Sequence, residues 1–283
     1  MKNISFAAAI CLACGGVFGQ TVVDLGASKD NTLYESLNGT ISNGAGQHLF
    51  AGMTVGGSVR RCVIEFDIAG SIPAGATIDS VTLSLNMSRT VTGPVNVGLH
   101  TVDQEWGEGT SDAGGQEGGG TSATDGDCTW VHAYFDSGGA SVFWNNTGGD
   151  FDFSPSANTT VNLPGGYQWS SAQMVADVQG WLDDDATNHG WLVLGDEKVA
   201  SAKRFDSREN PTPSRRPVLT VTYTEAAVCE ADLTNDGVLD FFDVQAFLQA
   251  FANQDPVADF TNDGIFDFFD VQAFLQAFAA GCP

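Results

Sequence analysis

Residues 232–252 read DLTNDGVLDFFDVQAFLQAFA, and residues 259–279 repeat them almost letter for letter as DFTNDGIFDFFDVQAFLQAFA. In each copy, oxygen-bearing side chains stand at positions 1, 3, 5, 9 and 12, and a glycine stands at position 6. A loop that wraps a cation needs oxygen ligands at this spacing and a sharp turn at the glycine. Each copy therefore predicts a calcium-binding loop that leads directly into a helix.

The predicted ligands nearly fill the shell of one ion per loop, because Ca²⁺ takes roughly six to eight oxygens and the carbonyl at position 7 adds to the side chains. The ligands to the two predicted Ca²⁺ ions are Asp232, Thr234, Asp236, Val238, Asp240 and Asp243, then Asp259, Thr261, Asp263, Ile265, Asp267 and Asp270. The alternative is an acidic surface loop with a chance repeat. Two complete loops in one register argue against it.

Position 12 separates these loops from ordinary EF-hands, which have a bidentate Glu there and a helix before the loop. Asp243 and Asp270 occupy position 12 here, and no helical pattern precedes Asp232. A duplicated loop-then-helix with Asp at position 12 resembles the type I dockerin, and the resemblance covers residues 229–283. It implies a small α module of two calcium loop-helix repeats that docks onto a cohesin-like receptor.

The positions that face the cohesin in dockerins are 10, 11, 17 and 18, where small hydroxyl and basic residues are typical. Here they are Phe241, Phe242, Leu248 and Gln249, repeated as Phe268, Phe269, Leu275 and Gln276. This departure predicts a different, apolar receptor or a self-association site. We expect one phenylalanine of each pair to lie in the module's own core and the other to be exposed. The helical spacing of Val244, Phe247, Leu248 and Phe251 predicts the core-facing stripe.

The chain has 283 residues, which allows one large and one small domain. Its formal net charge is −24, and residues 229–283 hold ten acidic residues without any Lys or Arg. A chain this acidic repels nucleic acid and anionic membranes. No stretch after residue 19 is apolar over a bilayer's thickness. We therefore expect no nucleic-acid partner and no membrane span.

Residues 1–19 have the pattern of a Sec-type signal peptide. Lys2 supplies the positive start, a short apolar run follows, and Val17 and Gly19 precede a cut before Gln20. A lipoprotein signal at Cys14 is the alternative, which the residues before that cysteine match poorly. The pattern predicts a secreted or cell-surface protein.

Export would leave four cysteines in an oxidising compartment, where disulfides persist. Cys229 and Cys282 bracket the two repeats, so a bond between them would close the module. Cys62 and Cys128 are then the second predicted pair, by elimination.

Residues 20–225 consist of short β-rich runs separated by turns, and residues 226–228 form a short linker to the C-terminal module. The predicted strands are 60–68, 81–87, 95–100, 190–194 and 217–223, and residues 170–184 have helical spacing. The fold class we expect is mainly β, a jelly-roll-like β-sandwich with one short helix.

Four stretches of this domain, 30–35 (DNTLYE), 60–78, 181–195 and 202–211, resemble the DNRLRE domains, which are secreted bacterial β-sandwiches allied to carbohydrate-binding module family 96. The resemblance covers most of residues 21–224. It implies the sandwich fold, and it implies polysaccharide binding because some members of the family bind polysaccharides.

A long glycine-rich segment begins near residue 106, and residues 107–120 include seven glycines. Long loops in compact domains are often functional. Exposed aromatic rings can stack on sugars, so the candidate ligand-binding residues are Trp106, Trp130, Tyr134, Trp144 and Trp169. Trp181 and Trp191 stand in periodic apolar segments and are expected in the core.

The acidic residues of this loop have three interpretations. Glu105 and Glu108 are compatible with the acid/base pair of a glycosidase, with a further calcium site in the sandwich, or with solvated carboxylates. Asp206, Arg208 and Glu209 are expected to form ion pairs at a strand end. No catalytic zinc, nucleophile or phosphate-binding motif is present, so no catalytic residue is assigned.

These observations together predict a secreted, non-catalytic protein whose polysaccharide-binding sandwich is anchored through a calcium-dependent dockerin-like module. One alternative is a polysaccharide lyase or glycoside hydrolase that carries a dockerin. Another is a structural cell-surface spacer.

Overall fold

The computed structural model describes residues 19–225 and 229–281. Residues 1–18, 226–228 and 282–283 lie outside this description, and with them most of the predicted signal peptide, the predicted linker and Cys282. The chain divides into two compact units, with the boundary between Glu225 and Ala226.

The first unit is mainly β, as predicted, and its described residues form fifteen strands. They are β1 (Gln20–Gly26), β2 (Lys29–Tyr34), β3 (Ile41–Ser42), β4 (His48–Met53), β5 (Val59–Glu65), β6 (Thr77–Thr90), β7 (Val95–Thr101), β8 (Thr121–Ser122), β9 (His132–Tyr134), β10 (Val142–Phe143), β11 (Ala157–Val161), β12 (Gly165–Trp169), β13 (Trp191–Leu194), β14 (Lys203–Asp206) and β15 (Val218–Thr224).

Eleven of these strands form one antiparallel sheet in the order β1-β15-β6-β14-β4-β5-β13-β7-β11, with β12 beside β6 and β2 beside β5. Strand β4 joins the two halves of the sheet, because its first residues pair with β14 and its last two, Gly52 and Met53, pair with β5. Gly52 has a φ of 99°, which only glycine adopts readily. The sheet curls at this strand.

The main core lies inside the curl. Val81, Leu83, Leu85 and Met87 alternate along β6 and all point into it, which confirms the period-2 pattern seen in the sequence. The predicted helix is α1 (Ala172–Asp183), whose N-cap Ser171 accepts a hydrogen bond from the main-chain N–H of Met174. This helix packs against β6 through Met174, Val178, Trp181 and Leu182.

A second, smaller core lies on the other face of β5, because Val63 points away from the main core while Cys62 and Ile64 point into it. The long segment between β7 and β11 covers this face with its own apolar side chains. The members of this second core are Leu33, Val63, Val102, Trp106, Cys128, Ala133, Trp144 and Leu192. The segment is therefore a packed layer despite its many glycines.

The C-terminal unit contains α2 (Phe241–Ala252), a short 3₁₀ turn (Pro256–Ala258) and α3 (Phe268–Ala280). Phe247 of α2 and Phe274 of α3 occupy equivalent positions in the two repeats. Their rings stack with centroids 4.1 Å apart and planes within 4° of each other. Phe260 packs edge-on against both rings. The repeats therefore pack on each other through the same residue in each copy.

The helices of the described residues offer no candidate for a membrane crossing, since none combines the required length with the required apolarity.

The predicted disulfide between Cys62 and Cys128 is wrong. Both thiols are free and fully buried, and burial raises the pKa of each well above its usual range. Cys62 points into the main core, whereas Cys128 packs in the second core on the Val63 face of the sheet. The two cysteines were paired only because they were the ones left over, and their positions on opposite faces of the sheet could not be known from the sequence. Cys229 is disulfide-bonded, and its predicted partner Cys282 lies outside the described residues.

We predict that alkylation without reductant modifies neither Cys62 nor Cys128 in the native protein and modifies both after denaturation, because burial alone protects them. Peptide mapping by mass spectrometry reads out both labels, and reductant added to a second denatured sample reveals the bridged cysteines as an internal control. A Cys62–Cys128 linked peptide from the native protein would contradict the two-core arrangement.

Candidate functional site

The two acidic loops of the C-terminal unit have the same hydrogen-bond pattern. The carboxylate of Asp232 accepts from the main-chain N–H of Gly237 at 2.8 Å, and Asp259 accepts from Gly264 at the same distance. Gly237 has a φ of 78°, which lets the chain turn back toward the first carboxylate. The position-6 glycine therefore has the role that the sequence predicted.

Asn235 and Asn262, at position 4, each have a φ of 54°. Asparagine enters this left-handed region more readily than most residues, because its short polar side chain can hydrogen-bond locally. No role was predicted for Asn235 and Asn262 from the sequence. The Asn-Asp-Gly run common to both copies is a turn signal that could have identified them.

Asp243 and Asp270, at position 12, are buried where each loop joins its helix. Both oxygens of Asp243 are used: one accepts from the main-chain N–H of Thr234 at 3.1 Å and from its hydroxyl at 3.0 Å, and the other accepts from the N–H of Asp240 at 2.9 Å. These hydrogen bonds, with the Asp240 main chain the largest cause, lower the pKa of Asp243. The same residue closes a capping box with Asp240.

Three of the predicted ligand oxygens lie together in each loop. The hydroxyl oxygen of Thr234 is 3.3 Å from a carboxylate oxygen of Asp232 and 3.0 Å from one of Asp243. The remaining carboxylates, Asp236 and Asp240, accept from the main-chain N–H groups of Val238 and Phe242. Every predicted metal ligand in this set is a hard oxygen atom, which suits Ca²⁺ better than a transition metal.

The two pairs of adjacent phenylalanines lie on the surface. Phe241 and Phe242 are 72% and 61% exposed, and Phe268 and Phe269 are 71% and 62% exposed. The prediction that one residue of each pair enters the core is wrong. Each pair forms the first turn of its helix, and the core of the module is reached one turn later, at Phe247 and Phe274.

Leu248 and Leu275 are also exposed, as expected for receptor-facing positions, so Leu248 does not belong to the apolar stripe predicted with Val244, Phe247 and Phe251. Phe241 and Leu248 are seven residues apart on α2 and therefore lie on one side of the helix. We call six of the exposed apolar residues of this unit the aromatic face; its members are Phe241, Phe242, Leu248, Phe268, Phe269 and Leu275.

Three of the five aromatic residues predicted to bind a ligand are buried, and that prediction is wrong for them. Trp106, Trp144 and Trp169 are at most 5% exposed. Each indole N–H donates a 2.9 Å hydrogen bond to a main-chain carbonyl oxygen. The acceptors are His189 for Trp106, Thr129 for Trp144 and Val97 for Trp169. Their rings form part of the two cores. Position in a loop indicated exposure, but the loop itself is a packed layer.

The other two aromatic candidates are half-buried and already have partners. The Arg61 guanidinium carbon lies 4.9 Å from the ring centroid of Trp130. The hydroxyl of Tyr134 donates to Glu105 at 3.0 Å. Ligand binding by Trp130 and Tyr134 stays a prediction.

An open cleft of about 630 Å³ lies close to Trp130, and the sequence analysis did not identify it. Its lining combines amides, carboxylates, a guanidinium and an exposed ring; it includes Arg61, Asn145, Asn146, Asp152 and Phe153. Phe153 is 87% exposed. The main-chain and side-chain N–H groups of Asn145 and Asn146 donate to Asp150 at 2.6–3.1 Å, which fixes this wall of the cleft.

The suggested acid/base pair Glu105 and Glu108 is held in two separate ion-pair networks. Glu105 accepts from Lys29 at 2.5 Å and from Tyr134. Glu108 receives both a 2.6 Å and a 2.8 Å bond from the guanidinium of Arg208. Arg208 also pairs with Glu209 at 2.8 Å, as predicted for this strand end, while Asp206 pairs with His48. Nothing in this geometry assigns a catalytic residue.

A scan against protein-family models finds no match to the chain, and a search of curated proteins finds none either. The resemblances to dockerins and to DNRLRE domains therefore stay predictions.

We predict that Phe247→Ala with Phe274→Ala unfolds the C-terminal unit, since removing a buried phenylalanine costs about 3–5 kcal/mol per site and these two form the centre of a small core. Phe241→Ser with Phe268→Ser, the matched control, removes two exposed rings and should leave the helices intact. Far-UV circular dichroism of the full chain in Ca²⁺ measures both. Loss of helix in the control would place those rings in the core.

Proposed function

We propose that this chain is a secreted, non-catalytic polysaccharide-binding protein, in which a jelly-roll-like β-sandwich meets the glycan and a dockerin-like module anchors the molecule. Two Ca²⁺ ions fold the module. The module in turn presents an apolar surface to a cell-surface or extracellular receptor, or to a second copy of the chain.

The observation that carries this proposal is the pairing of two equivalent acidic loops with an aromatic face. The loops bring carboxylate and hydroxyl oxygens to 2.9–3.5 Å from one another. Six large apolar side chains, at equivalent positions of the two repeats, stay exposed beside them. Large exposed apolar patches mark protein interfaces.

The duplication suggests how the anchor engages its partner. Because the same three exposed residues recur in each repeat and the repeats pack through equivalent rings, the module offers two similar surfaces. A receptor that fits one of them also fits the other after a half-turn of the module. Two binding orientations are therefore expected for a single site on the receptor.

Glycan binding is supported by the cleft beside Trp130. Its amides and carboxylates can take hydroxyl groups, and the exposed Phe153 offers a ring face for the apolar side of a sugar. The guanidinium of Arg61 is already paired with both oxygens of Glu197, at 2.7 and 2.9 Å. The cleft is also lined by three carboxylates, those of Asp103, Asp150 and Asp152. Neutral polysaccharides are therefore the first ligands to screen.

We predict that Phe153→Ala in the full chain abolishes binding on a polysaccharide array, because it removes the exposed ring of the cleft. Phe143→Ala is the matched control: this ring is 60% exposed and is not among the residues that line the cleft. Retention on the cell surface should be unchanged in both variants, since both residues belong to the first unit and the C-terminal unit is left unaltered.

The complementary variant is Phe241→Ser with Phe268→Ser, which should lower surface retention and leave glycan binding unchanged. Breakdown of any polysaccharide by the wild-type chain would instead favour the lyase or hydrolase alternative. Failure to bind any glycan, with retention intact, would favour the structural spacer.

A further inference from the structure

A cluster of three carboxylates lies in the first unit, which does not contain the acidic loops. Asp30 comes from β2, Glu108 from the long segment after β7, and Glu209 from the turn after β14. One oxygen of each carboxylate lies within 4.8 Å of the other two. Three distant parts of the chain thus place negative charge at one point.

The positive charge beside this cluster is insufficient to balance it. Arg208 bonds Glu108 with two of its nitrogens and Glu209 with one. Lys29, the neighbour of Asp30, is directed instead to Glu65 at 3.0 Å and to Glu105. Three carboxylates against one guanidinium leave two negative charges, which is the charge that a divalent cation neutralises.

The second observation is that the cluster contains carboxylate oxygens without partners. Asp30 is 1% exposed; its Oδ2 accepts from the main-chain N–H of Arg208 at 2.8 Å, but its Oδ1 has no hydrogen-bond partner among the described residues. The Oε2 atom of Glu209 is likewise buried and without a hydrogen bond. Buried carboxylate oxygens normally have a hydrogen bond or a cation, because leaving them unpaired costs free energy.

The arrangement also holds its ligands in fixed positions. The main-chain N–H of Asp30 donates to Glu108 at 2.8 Å, and the side-chain amide of Asn31 donates to the carbonyl oxygen of Glu108 at 2.7 Å. The two unpaired oxygens, Asp30 Oδ1 and Glu209 Oε2, therefore belong to a cluster whose other parts are held in place by hydrogen bonds.

We infer that Asp30, Glu108 and Glu209 bind a divalent cation of the calcium class, which ties the long segment and the turn after β14 to strand β2. The ligands are carboxylate oxygens with no His or Cys among them, which favours a hard ion over zinc or copper. This site goes beyond the proposed anchoring and glycan functions, and it involves none of their residues.

Terbium luminescence sensitised by tryptophan separates this site from the two loops. Tb³⁺ is a luminescent substitute for Ca²⁺, and residues 229–283 contain neither Trp nor Tyr. Trp106 is two residues before Glu108 in the chain, so it is the tryptophan nearest to the cluster in sequence. Excitation of tryptophan in the full chain therefore reports an ion at Asp30, and the variant Asp236→Asn with Asp263→Asn, which removes a carboxylate from each C-terminal loop, tests whether the loops contribute to the signal.

We expect the wild-type chain to give a saturable luminescence signal that is lost when Ca²⁺ displaces Tb³⁺. The variant Asp236→Asn with Asp263→Asn should give the same signal. Asp30→Asn with Glu209→Gln should raise the half-saturating Tb³⁺ concentration roughly tenfold or more. Glu105→Gln, an acidic neighbour outside the cluster, should not. If the double variant fails to fold, as judged by near-UV circular dichroism, Glu209→Gln alone must still weaken the signal.

Absence of the signal in the wild type would overturn the inference, and so would an unchanged titration in the Asp30→Asn, Glu209→Gln variant. In either case the cluster holds a shared proton in place of a metal ion. Neither result bears on calcium binding by the two loops of the C-terminal unit, so the proposed anchor is tested independently of this site.

Discussion

Repulsion between carboxylates is the constraint on which the C-terminal unit depends. Residues 229–283 carry ten acidic side chains and no basic one, and their buried apolar cluster is small. A core of this size supplies little free energy of folding. Two divalent cations bound by the repeated loops would remove much of the repulsion and fix the N-terminus of each helix at the same time. Metal binding and folding are then one equilibrium in this unit.

That coupling would give a reason for the position of the aromatic face next to the loops. Asp240 and Asp267 each accept from the main chain of the first helical turn, at Phe242 and Phe269. An ion that orders these carboxylates also orders the turn that carries the exposed rings. The stack of Phe247 on Phe274 then sets the two copies of the surface relative to each other. Calcium would thereby control whether the anchor exists as a surface.

The sequence predicted most of the architecture, because period-2 runs such as that in β6 and the helical spacing in α1 depend on local pattern. It failed where burial is decided by distant partners. Trp106 and Trp144 were predicted to be exposed because they belong to a glycine-rich segment. In the structure they are buried in the second core, together with Val63 of β5. Asp30 and Glu209 are far apart in sequence, so no spacing rule could bring them together with Glu108. The cleft at Phe153 also depends on how the long segment folds.

Calcium-dependent folding of the C-terminal unit is tested most directly by hydrogen–deuterium exchange of the full chain in Ca²⁺ and in EGTA, measured for each peptide. We predict that EGTA removes protection from the peptides of α2 and α3 and that returned Ca²⁺ restores it, while strands such as β6 and β15 in the main core stay protected. Protection of α2 and α3 that is equal in EGTA and in Ca²⁺ would contradict a calcium-folded anchor.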